Sequence, residues 1–150
     1  MSSQSVVDKI TTFINTNFPS EPLVDLTAEF RDLNDLLTAN GIGRNDPWLG
    51  IQFIGNDELP ISLSATNNSG KYREIGAIYI HVVGVAAINA ASGIRARADA
   101  LRAGIRGQNI DGIRIESITP ANFNAGATLQ FEGGWTGASV IASYETDIDL

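Results

Sequence analysis

Few side chains in this sequence could do chemistry. Its one histidine, His81, sits in an apolar run between Tyr79 and Val83. An imidazole could serve as a general base or a metal ligand. In the middle of a strand-like run it reads instead as a hydrogen-bonded structural histidine. Two carboxylate pairs, Asp57-Glu58 and Asp147 with Asp149, could work as acid and base or hold a cation. The first falls in an expected turn and the second near the C-terminus. A calcium loop needs more oxygens at alternating spacing. Both pairs therefore read as solvated charge. Gly41-Ile42-Gly43-Arg44 has half the pattern of a phosphate loop. It lacks a preceding strand and a following Lys-Ser/Thr, and it reads as a helix C-cap. The sequence contains no HExxH, GxSxG or P-loop pattern. No catalytic, cofactor-binding or metal-binding residue is assigned.

Binding chemistry is better represented. Arg95, Arg97, Arg102 and Arg106 crowd one stretch of a chain with 10 Lys and Arg against 17 Asp and Glu. At helical spacing Arg95, Arg102 and Arg106 share a face. A solvated helix face is the plain reading. The sharper reading is a contact surface for acidic patches on a neighbouring subunit. Trp48 and Trp135 both begin expected strands. Tryptophan is enriched at interface anchors, and core packing is the alternative. The candidate interface set is Arg95, Arg102, Arg106 and Trp135.

These residues must be positioned by a small number of elements. The run Ile75–Gly84, IGAIYIHVVG, is apolar on both alternating faces, as in the middle of a sheet. The strand is expected from Lys71 or Tyr72 to Val85. The period then changes. Ile94, Ala98, Leu101 and Ile105 recur at helical spacing, with Ser92 as expected N-cap and Gly107 as C′ residue. Ser3 to Phe18 predicts a first helix with Val6, Ile10 and Phe13/Ile14 as its stripe, ended by Pro19 and Pro22. Leu23–Phe30 predicts a short strand or turn, followed by a helix near Ala28–Thr38 that Asn40-Gly41 closes. Trp48–Ile54 predicts a strand, Gly55-Asn56-Asp57 a turn, and Leu59–Ala65 a second strand. Pro60 implies a sheet edge there. Gly112–Thr119 predicts a strand, Ala127–Glu132 another, Gly133-Gly134 a hairpin turn, and Trp135–Ile148 a long last strand. That last strand, if it lay at an edge, would offer backbone groups to a neighbouring subunit. The expected fold class is α+β. A mixed, mainly antiparallel sheet carries the N-terminal and central helices packed on one face, in a single domain over residues 1–150.

Composition limits the function classes. A net charge of −7 disfavours a nucleic-acid backbone as partner. The absence of cysteine excludes a disulfide framework, Cys-ligated zinc and thiol catalysis. MSSQSVVDKI lacks the basic and apolar regions of a secretory signal. Ile75–Ile94 carries no formal charge with His81 neutral, and it has the length of a membrane span. Its β-branched first half, its glycines and the missing flanking belts argue for a strand and loop, so no membrane partner is expected.

One family resemblance emerges from the order of these features. An N-terminal helix precedes Asp46-Pro47-Trp48-Leu49-Gly50-Ile51. A polar tip follows, then Ile75–Gly84. A small-residue loop leads to the helix Arg97-Ala98-Asp99-Ala100-Leu101-Arg102-Ala103-Gly104-Ile105-Arg106-Gly107. Gly112-Ile113-Arg114-Ile115 comes next, and a strand ending Ala142-Ser143-Tyr144-Glu145-Thr146-Asp147 closes the chain. Over most of its length the chain resembles the tail terminator, or tail completion, proteins of long-tailed bacteriophages. Residues 31–43 are extra length against that pattern, and the loop Val85–Ser92 is more apolar. The resemblance implies a structural, non-enzymatic virion protein without cofactors. Such a protein closes as a homohexameric ring on the tail tube protein, stops its polymerisation and joins it to a head-completion or connector protein. It implies assembly in the host cytoplasm and a final place in the tail–neck region. The alternatives are another neck component, a small ligand-binding module, or a hydrolase using His81 with a carboxylate.

Overall fold

Two long alternating stretches pair with each other, and the rest of the chain is built onto that pair. The computed structural model describes residues 3–26, 33–43, 46–60, 71–85, 91–122 and 135–149. In chain order the elements are α1 (Gln4–Asn17), β1 (Leu23–Asp25), α2 (Leu33–Ala39), β2 (Trp48–Pro60), β3 (Lys71–Val85), α3 (Ala91–Ile105), β4 (Asn109–Ile110), β5 (Ile113–Ile118) and β6 (Trp135–Asp149). The six strands lie in the order β1-β2-β3-β6-β5-β4. β1 and β2 are parallel, and every other pairing is antiparallel. The fold is α+β, with a mixed and mostly antiparallel sheet.

Register explains the main core. Ile78, Ile80 and Val82 of β3 stand opposite Phe53, Ile51 and Leu49 of β2. They also stand opposite Ala142, Val140 and Ala138 of β6. With a side-chain period of two, all nine lie on one face, and all are buried. α1 lays Val6, Ile10 and Ile14 on this face, and α3 lays Ile94, Ala98, Leu101 and Ile105 beside them. The central strand, the α1 stripe and the α3 stripe are thus where the periodicity places them. Gly104 lets the two helices approach, because a Cβ there would come within 2.6 Å of the Phe18 ring. α3 ends at Gly107, whose φ of 68° suits a residue without a side chain. Asn40-Gly41 likewise closes α2, with Gly41 at φ 73°.

Several expectations are corrected. α1 and α3 share one face of the sheet, as expected, but α2 lies on the other, so the helices are not confined to one face. Leu37 of α2 joins Val24, Leu26, Ile42, Trp48 and Val83 in a second buried cluster, on the face of the sheet opposite Leu49 and Val82. Trp48 is fully buried in that cluster, so it is a core residue. Gly55-Asn56-Asp57 is not a turn. β2 continues through it to Pro60 with a shift of register between Gly55 and Asp57, a β-bulge that absorbs one extra residue. β1 covers β2 at Leu49–Ile51. Pro60 lies beyond that stretch, as a residue without an N–H requires. β3 pairs β6 along its whole length, and β5 covers the other side of β6 from Ala142 to Thr146. Asn122 continues that cover through a bridge to Ser139. Ser92 lies inside α3, whose first residue is Ala91. The expected strand at Ala127–Glu132, the Gly133-Gly134 turn and residues 61–65 fall outside the described residues.

β4 was not anticipated, although its signal is present. Asp111 at φ 50° and Gly112 at φ 91° form the two-residue connection between Ile110 and Ile113. Two positive φ values in an Asp-Gly pair fit the tight hairpin turn that matches strand twist. Among the described residues no helix is long and apolar enough to cross a membrane.

Leu101 is 1% exposed at the centre of the α3 stripe. Leu101→Ala is expected to lower unfolding stability by roughly 2–5 kcal/mol in urea titration. A loss below about 1 kcal/mol would show that the site collapses or that the stripe is not part of the core.

Candidate functional site

The polar groups inside the sheet come first, because a buried polar atom needs a partner. His81 stands on β3 directly opposite Ser139 of β6 and Gly50 of β2. Its Nδ1 lies 2.5 Å from Ser139 Oγ and its Nε2 lies 2.8 Å from Gln52 Oε1. Gln52 reaches it diagonally, since its own partner on β3 is Tyr79. With the Gln52 carbonyl oxygen facing the ring, Nε2 carries the proton and donates. Nδ1 then accepts from the Ser139 hydroxyl. Gly50 leaves room over this row for Leu26 and Trp48, whose side chains lie 2.6 and 2.9 Å from where a Cβ would stand. His81 is 0% and Ser139 3% exposed.

This chain of three side chains is suited to holding strands together. Burial lowers the His81 pKa to about 4, because a dry site disfavours the imidazolium. A general base works best with a pKa near the working pH. At neutral pH a histidine titrating near 4 has little capacity to take the serine proton. A cleft of about 350 Å³ lies beside Ser139, lined also by Thr119, Asn122 and Ile141. Ser139 itself is held on both sides, by His81 through its hydroxyl and by Asn122 through its backbone. The two ring nitrogens of His81 face a hydroxyl and an amide.

A second buried polar cluster was missed in the sequence. Glu74, 3% exposed, accepts the Tyr144 hydroxyl at 2.7 Å and the backbone N–H of Ser3 at 3.1 Å. Ser3 is the N-cap of α1 and has no side-chain capping bond. The carboxylate of a sheet residue therefore takes up the N-terminus of a helix, where negative charge is favoured. Tyr144 lies across Gly76, and a Cβ on that glycine would sit 2.6 Å from both the tyrosine oxygen and the Ile54 carbonyl. The signal in the sequence was a charged residue at the start of an apolar strand, in step with Ile78 and Ile80.

On the opposite face, Arg73 and Arg114 alternate with Glu145 and Asp147. Arg73 Nε donates to Asp147 at 2.9 Å, and Arg114 Nε donates to Glu145 at 2.9 Å. Arg114 also reaches Asp147 at 3.5 Å. The hydrogen bond from Arg73 holds Asp147 below the usual carboxylate range, and the same bond raises Arg73. Asp147 is thus paired rather than merely solvated. The side chains of Asp57, Glu58 and Asp149 lie outside what is described. Among the described residues no group of three or more His, Cys, Asp or Glu could hold a metal ion.

The structure separates the arginines of α3. Arg95 and Arg106 are exposed. Arg102 lies between them on the stripe with its side chain 17% exposed, and it bonds Asp99 at 3.3 Å. Its Nε is buried without a partner. Arg97 turns away to pair with Glu21 and reaches the Val83 carbonyl at 3.4 Å. This ties α3 to the loop after α1 and to the end of β3. Trp135 opens β6 opposite Val85, and its side chain is outside the described residues. The candidate surface reduces to Arg95 and Arg106, with Arg102 partly sunk between them.

No protein-family model matches the chain, and no curated protein matches it. Solved structures do match. One of them aligns over 97% of this chain and 96% of its own, at 15% identity and a TM-score of 0.48. A likeness that slight carries no argument about function.

The shifted histidine gives a pH dependence. The unfolded chain binds the His81 proton near pH 6.5, and the folded chain binds it near pH 4. The neutral ring's contribution is complete above pH 6.5 and is lost as pH falls toward 4. That loss is about 3 kcal/mol at 1.36 kcal/mol per pH unit. Denaturant titrations across this window should show the decline in the wild type and a flatter profile in His81→Gln. Equal slopes in both proteins would mean that the folded chain accommodates the imidazolium.

Proposed function

We propose that this chain is a structural subunit of a bacteriophage neck, a tail-terminator-like protein that caps the tail tube as a hexameric ring and joins it to the head connector. The observation that carries the reading is where the resembling stretches fall in the fold. Trp48–Ile51 opens β2, Ile75–Gly84 is the middle of β3, Ile113–Ile115 begins β5, and Ala142–Asp147 lies in β6. These strands are neighbours in the sheet. The fifth stretch, Arg97–Gly107, is the body and end of α3, which packs on β3 and β6. The motifs of the resemblance thus form one connected framework.

The ring contact in this reading uses α3 rather than β6, which β3 pairs fully and β5 pairs from Ala142 to Thr146. Arg95 and Arg106 project from a helix whose other side is fixed in the core. On a chain with net charge −7, an exposed basic stripe suits the acidic surface of another copy. Exposed ion pairs are individually weak and screened by salt. The free protein is therefore a monomer, or a mixture of monomer and ring, and the tail tube templates the closed hexamer.

Reconstruction of a neck by cryo-electron microscopy tests this. Six copies of the chain in one ring between tube and connector are expected. A single copy on the axis, or a dimer about a two-fold axis, would overturn the proposal. In solution, native mass spectrometry should show association that decreases as ionic strength rises.

A further inference from the structure

Arg106 is exposed at the end of α3, and the described surface offers it a counterpart. α1 and the β4–β5 hairpin enclose a groove of about 450 Å³. Its floor is apolar: Ile110 is 6% exposed, and Phe13 packs beside it against the main core. Its rim is mainly acidic. Asp8 and Asp111 are both exposed. The one lysine there, Lys9, is already committed to Asp111, donating to its carbonyl at 3.0 Å and lying 3.7 Å from its carboxylate. Asp8 accepts a bond from the neutral Gln4 amide at 2.8 Å, and among the described residues no cation forms a salt bridge with it. Two carboxylates against one ammonium leave the rim negative. Asn109, on the sheet edge between them, stands in a pair whose main-chain groups point away from β5. Its neighbours Ile110 and Gln108 make the bonds to that strand.

We propose that this groove receives the α3 stripe of a second copy of the chain, with the Arg106 guanidinium on Asp8. A guanidinium is planar and pairs with a carboxylate through two parallel bonds, and its stem can lie on apolar surface. The stripe and the groove are different patches. The contact is therefore heterologous, and repetition of it gives a ring where the rotation closes. The inference rests on the ring reading above and names the two surfaces that meet in it.

The chain has no cysteine, so a pair of introduced ones reports this contact alone. Asp8→Cys with Arg106→Cys, treated with a short bis-maleimide at low salt and high protein concentration, should give a ladder of cross-linked species. Each single variant should give none. A second measurement uses charge: Arg106→Glu should weaken association at least tenfold, and adding Asp8→Arg should restore it. Both positions are exposed, so folding is not at stake. The absence of a ladder, or cross-linked dimers from a single variant, would overturn the contact. A ladder that closes at a number other than six would uphold the groove and sink the hexamer. Hexameric rings in particles, without the cross-link in the double variant, would sink the groove and leave the tail-terminator reading standing.

Discussion

β3 is hydrogen-bonded along both edges from Tyr72 to Val83, and the other elements answer to that constraint. Its place in the middle of the sheet puts part of it under packed elements on both faces, where water does not reach. Each buried polar side chain on it must find a protein partner or be lost to desolvation. Glu74 and His81 both do so, through Tyr144 and Ser3 in one case and through Ser139 and Gln52 in the other. Each solution draws in side chains from other elements. Glu74 fixes the start of α1, and His81 cross-links the three central strands.

Close approach has the same origin. Tyr144 can reach Glu74 because Gly76 leaves the space above it empty, and Leu26 and Trp48 can meet because Gly50 does the same on the other face. Either glycine, given a methyl group, would displace a neighbouring side chain or a main-chain carbonyl. The small residues in the strands are therefore where large ones cross, which explains how a sheet this apolar still accommodates a fully buried tryptophan and tyrosine.

Charge is sorted by location. The arginines at strand positions, Arg73 and Arg114, are engaged by Glu145 and Asp147 on their own sheet face. Arg97 is engaged across elements by Glu21. Arg106 is exposed at the end of the helix that joins the inner sheet to its edge hairpin. Localised complementary charge sets partner choice and orientation more than it sets affinity.

Local patterns were enough for the elements whose cause is local. The change from a period of two at Ile75–Gly84 to a helical period at Ile94–Ile105 determined β3, α3 and the core-facing side of each. Glycines 41 and 107 marked helix ends because glycine enters the left-handed backbone of a helix C-terminus without steric cost. Tertiary structure decided what depends on residues distant in the chain. Gly55-Asn56-Asp57 has the composition of a turn, and it became a bulge because β3 offers partners to β2 on both sides of it. β6 was long enough to offer backbone groups had it lain at an edge, and β5 paired its outer side from Ala142 to Thr146. His81 and Ser139 are 58 positions apart, and Glu74 and Tyr144 are 70 apart. No local propensity encodes such a meeting, because the partner is chosen by strand register, and register is set by the whole sheet at once.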